Sequence, residues 1–82
     1  MKDFDVKKYV IFKTKSSGEK EYVYEINKNN VYTTNDIHSA MLIDDVDAAL
    51  VMSKYITRRE SGSYLYQVMS IITTCEVIEE ES

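Results

Sequence analysis

Hydrophobic and polar positions change rhythm several times along the chain, and each change marks an element. Residues 8–14, Lys-Tyr-Val-Ile-Phe-Lys-Thr, are rich in β-branched and aromatic types and read as a strand. Lys15-Ser16-Ser17-Gly18-Glu19-Lys20 is polar, contains a glycine and reads as a turn. Residues 21–27 alternate: Tyr22, Tyr24 and Ile26 fall on one side, and Glu21, Val23, Glu25 and Asn27 on the other. An antiparallel hairpin with the first strand follows. After a turn at Lys28-Asn29-Asn30, Val31–Thr34 reads as a short strand or an extended bridge, and Asn35 and Asp36 are placed to cap a brief helical turn over 37–40. Met41-Leu42-Ile43 reads as a short apolar strand at a sheet edge.

Period 2 then gives way to a helical period. Val46, Ala49, Leu50, Ser53 and Ile56 recur at i, i+3, i+4, i+7 and i+10, which predicts a helix over about 45–59. Asp44 or Asp45 can cap its exposed amides, and Asp47 adds negative charge near the positive end of the helix dipole. Lys54, Arg58 and Arg59 sit late in the helix, and Gly62 is placed to end it. Residues 64–78 are strand formers throughout. Their length predicts a bend or bulge near Met69–Ile72, with the inward face switching at Ile71-Ile72. The expected architecture is α+β: one domain over 1–82, with a curved antiparallel sheet packed on one helix in the order β-β-(β)-β-α-β. Its ends are expected to fray at about 1–6 and 79–82.

Composition narrows the functional classes. With 82 residues the chain supports one domain with a thin core. A single cysteine, Cys75, rules out an internal disulfide, no apolar run reaches the ~20 residues of a membrane span, and the N-terminus has no signal-peptide core. The expected location is therefore the cytoplasm. Net charge is −4, unevenly spread: residues 1–28 carry +2 from seven lysines and five acids, and residues 29–82 carry −6 from three bases and nine acids. That acidity argues against a general nucleic-acid binder, whose affinity rests on neutralising phosphates. A basic protein partner suits it better.

Chemistry-bearing residues are sparse. One histidine, His38, and one cysteine cannot supply zinc-ligand spacing, and Asp44, Asp45 and Asp47 lack the loop spacing and central glycine of a calcium-binding hand. Gly18 and Gly62 are isolated, so no phosphate-cradling loop exists. Cys75 reads as a small hydrophobe on the last strand. No enzyme and no cofactor is expected. The seven tyrosines exceed what a thin core can bury, and they suit either an interface or the sheet margin. Lysines flank the aromatic run Lys8–Lys13, which leaves RNA or single-strand binding as a minor alternative.

The hairpin "KKYVIFKTK", the turn "YTTND", the entry "LIDDVDAAL" and the ending "TTCEVIEEE" together resemble small acidic α+β proteins encoded by phages and prophages of low-GC Gram-positive bacteria. Anti-CRISPR inhibitors are among them. The resemblance implies a non-enzymatic inhibitor that binds a defence protein such as a CRISPR effector nuclease, in the manner of a DNA mimic. The candidate partner-binding residues are Asp36, Asp44, Asp45, Asp47, Glu60, Tyr64 and Tyr66, with the glutamates at the end of the last strand as a second acidic group. A homo-oligomeric phage accessory, structural or regulatory protein, assembling as a homodimer through edge strands or tyrosines, is the alternative.

Overall fold

A computed structural model describes residues 3–28, 30–59 and 65–76 of the chain. Four strands, β1 (Asp3–Thr14), β2 (Lys20–Asn27), β3 (Asn30–Thr34) and β4 (Tyr66–Glu76), form one antiparallel sheet in the order β3-β2-β1-β4. A 3-10 turn, Ile37–Ser39, and one helix, α1 (Val46–Arg59), connect β3 to β4. The expected α+β domain is therefore the observed one: an antiparallel sheet with a single helix packed on it.

The β1–β2 hairpin closes through the polar turn. Lys15 N–H donates to the Glu19 carbonyl at 2.8 Å, and Gly18 N–H donates to the Lys15 carbonyl at 2.9 Å. Gly18 has φ of +92°, a conformation that a side chain would strain. β1 and β2 then pair only over Phe12↔Tyr22, Lys13↔Glu21 and Thr14↔Lys20. Beyond that they part, and the segment 41–43 fills the gap. Met41 N–H donates to the Val23 carbonyl at 3.0 Å, while Tyr9 and Ile43 exchange bonds of 2.8 and 2.9 Å. The apolar run Met41-Leu42-Ile43 is thus a wedge holding a single bridge to Tyr9, rather than the edge strand its composition suggests.

Three further expectations are corrected. β1 begins at Asp3, paired with Glu76, so residues 3–6 belong to the ladder instead of fraying. The ladder from Asp3↔Glu76 to Lys13↔Tyr66 runs without a register shift, so the bulge expected near Met69–Ile72 is absent and the inward face does not switch. The irregularity lies instead in β2, between Val23 and Glu25. That bulge brings Val23 and Ile26, three apart, onto the same side, so Ile26 parts from Tyr22 and Tyr24 and joins the core. The termination of α1 at Gly62 and the fraying of 79–82 fall outside the described residues.

The core gathers on the face of the sheet that α1 covers. Ile11, Val23, Ile56 and Tyr66 are its buried centre, with Ile26, Val31, Met41, Ile43, Met52 and Val68 packed against them. From α1 the buried positions are Ala49, Ser53 and Ile56. Two members of the apolar stripe read from the sequence, Val46 and Leu50, stay exposed at 38% and 43%. The helix is narrower in its contact than its periodicity allows, because only one flank meets the sheet. Ser53 sits in the interior with its hydroxyl donating to the Leu50 carbonyl at 2.8 Å, which removes the cost of an unpaired buried group.

Strand alternation places Val10 and Phe12 on the opposite face, where they are nonetheless buried. Ile37, His38 and Leu42 share a groove with Ile71 and Thr73, which lie across from Lys8 and Val6 on that same face. The segment 37–42 therefore lies over the second face beside Ile71 and Thr73, at the level of Lys8 and Val6. Past this point nothing among the described residues covers the β1–β4 ribbon. The molecule measures 57 × 25 × 18 Å, and its radius of gyration, 15.5 Å, exceeds the roughly 12 Å expected of a compact chain this long.

Candidate binding surface

The acidic residues serve local structure first. Asp45 Oδ1 accepts from Asp47 N–H at 3.1 Å, and its carbonyl accepts from Ala49 N–H at 3.1 Å, so Asp45 is the N-cap of α1. Asp44, 82% exposed at its side chain, pairs with Lys8 of β1. Asp47 occupies the exposed first turn, where negative charge favours the helix dipole. Asp36 caps the 3-10 turn, accepting from His38 N–H at 3.0 Å and from Ser39 Oγ at 3.2 Å. Asp44, Asp45 and Asp47 thus come together at the entry of α1, and Asp36 belongs to a separate turn.

The remaining candidates divide. Glu60 and Tyr64 lie outside the described residues, as do the glutamates after residue 76. Tyr66 is only 3% exposed and forms part of the core, with Lys13 Nζ 5.6 Å from its ring centroid. Lys13 also lies 3.8 Å from Glu21, its neighbour across the hairpin, so Tyr66, Lys13 and Glu21 make a row across three strands. Tyr66 holds the sheet to the helix and offers no ring to a partner.

Exposed tyrosines lie elsewhere. Tyr24 and Tyr32, on β2 and β3, have ring centroids 6.1 Å apart at a tilt of 39°. On α1, Tyr55 and Val51 are exposed at 55% and 67%, beside Leu50. The sequence pattern reads Leu50 as part of the buried stripe and Tyr55 only as one of seven tyrosines, and it passes over Val51. Their signal was present: Val51 and Tyr55 are an i, i+4 pair off the stripe, giving α1 apolar groups on more than one side.

For chemistry the surface offers little. His38 is exposed in the 3-10 turn, and the groove it lines measures about 180 Å³, smaller than the usual ligand pocket of ~300–1,000 Å³. Among the described residues no three of His, Cys, Asp and Glu group to hold a metal ion. The side chain of Cys75, expected to be buried, lies outside the described residues. No helix among the described residues is long and apolar enough to cross a membrane. Comparison with protein-family models, curated proteins and solved structures finds no match for this chain.

Proposed function

We propose that this chain acts by binding another protein, as an inhibitor of a bacterial defence nuclease of the CRISPR effector kind, without catalysing a reaction. What supports this reading is the entry of α1: three aspartates within four residues, all exposed, with the exposed apolar side chains Val51 and Tyr55 on the helix that follows. Carboxylates on a rigid helix end suit a basic groove that ordinarily takes nucleic-acid phosphates, and complementary charge would speed the encounter. The adjacent apolar and tyrosine surface would supply the desolvated contact that charge alone does not.

The test is capture of a tagged chain from nuclease-treated lysate of a CRISPR-bearing Gram-positive host, followed by binding of the recovered effector in purified form. A stoichiometric complex is expected, weakened by added salt and by Asp47→Lys, which leaves the Asp45 cap in place. Recovery of the bait alone, or an affinity unchanged by Asp47→Lys and by salt, would count against the inhibitor and its acidic surface.

A further inference from the structure

We propose that the outer edge of β4 is a self-recognition surface, which pairs antiparallel with β4 of a second copy about Ser70. The direction of its hydrogen-bonding groups follows from the ladder. Tyr9 spends both its N–H and its carbonyl on Ile43, so the odd-numbered groups of β1 point away from β4 and the even-numbered groups point toward it. Their partners are the odd-numbered residues of β4. The N–H and carbonyl groups of Val68, Ser70, Ile72 and Thr74 therefore point outward, and among the described residues no strand takes them. Tyr66 confirms the direction, because its N–H leaves the sheet to reach Thr57 Oγ1 at 3.1 Å.

Between Gln67 and Thr74 this edge lacks the charges and prolines that keep edges apart. From Tyr66 to Thr74 the strand reads Tyr-Gln-Val-Met-Ser-Ile-Ile-Thr-Thr, with no charge and no proline. The other edge, β3, is only five residues long. The nine residues are also self-complementary about their centre, as a two-fold interface requires. Pairing Ser70 with Ser70 sets Val68 against Ile72, Met69 against Ile71, Gln67 against Thr73 and Tyr66 against Thr74. From Gln67 to Thr73 apolar meets apolar and polar meets polar, and only the outermost pair, Tyr66 with Thr74, is mixed. A register centred on Ile72 would instead set Val68 against Glu76, and one centred on Ile71 would set Tyr66 against Glu76. Val68, Ser70 and Ile72 can each exchange two backbone bonds with their opposite residue.

The same register accounts for exposed apolar groups that a single chain leaves bare. Ile72 is 66% exposed on the helix side of the ribbon, beyond the reach of its own α1. In the pair it lies beside Val68 of the second copy, which packs against the Ile56 cluster under that copy's helix. Val46, Leu50 and Thr57 share one flank of α1, at i, i+4 and i+11, and Thr57 receives the outward N–H of Tyr66. That flank faces the free edge, so the exposed Leu50 of one copy is brought over Ile72 of the other. The result is a continuous sheet with both helices on one face.

Sedimentation velocity and amide hydrogen exchange of the full chain over a concentration series test this. A dimer is expected, with the N–H groups of Val68, Ser70 and Ile72 gaining protection as concentration rises, while those of Met69 and Ile71 are protected throughout. Ser70→Lys, at an exposed position, opposes two cations at the centre and should weaken the dimer roughly tenfold. Ile72→Lys should do likewise, and Tyr32→Lys on β3 should leave it intact. A monomer at every concentration would overturn the proposal, as would a dimer insensitive to both β4 variants. So would an edge protected only by a different polypeptide. None of these outcomes depends on nuclease binding, which is read separately by capture.

Discussion

The two ends of the β1–β4 ribbon share one uninterrupted ladder yet differ in every other respect. At one end Val10, Ile11 and Phe12 are 0%, 1% and 9% exposed, and α1 packs over the face that holds Ile11. At the far end Phe4 and Ile72 are 51% and 66% exposed. Backbone pairing is equal at both ends, so the ladder alone does not decide burial. Covering elements do. A hydrophobic side chain stabilises the fold only as far as something packs over it.

That contrast can be broken by mutation, best measured as denaturant unfolding in the Ser70→Lys background so that association does not contribute. Ile11→Ala, at the covered end, should cost about 2–5 kcal/mol through lost burial and the cavity left behind. Unfolding at an unchanged midpoint would show that the covered end is not the core. Two variants at the helix then ask what fastens the cover. Asp45→Ala should cost about 1 kcal/mol, and Asp45→Asn much less, because asparagine still accepts from the Asp47 N–H. Thr57→Val leaves the Tyr66 N–H without its acceptor and should also cost about 1 kcal/mol, seen as faster exchange of that amide.

Smaller effects belong to the boundary and the bare end. Lys8→Ala removes the pair with Asp44, which is largely solvated, and should cost about 0.5 kcal/mol, fading as salt is raised. Phe4→Ala should change stability by no more than about 0.5 kcal/mol, since half of the residue already lies in solvent and its loss leaves no enclosed cavity. A large loss from Phe4→Ala would mean that the far end is covered in solution and would collapse the comparison between the two ends.

The candidate surface was legible only in part. Asp44, Asp45 and Asp47 adjoin in sequence, so any helix beginning there presents them together. Tyr66 illustrates the opposite case. A tyrosine on a strand suits a core or a rim equally, and its place was settled by Ile11, Val23 and Lys13, residues distant in sequence. The exposure of Leu50 was hidden for a similar reason. Its spacing from Ala49, Ser53 and Ile56 fits a buried stripe, but the width of that stripe depends on where the sheet ends.

By itself the sequence determined the local structure: the hairpin through Gly18, a cap at Asn35 or Asp36 and another at Asp44 or Asp45, the helix, and the α+β class. Each follows from interactions within a few residues, such as φ preference, a side chain bonding its own turn, or the period of apolar positions. Only the tertiary structure decided the rest. It put the bulge in β2 instead of β4, made 41–43 a wedge rather than a strand, and left Ile72 bare while burying Val10. These depend on which distant backbone competes for the same hydrogen bonds and which element lies over a given face. Local pattern carries no record of either.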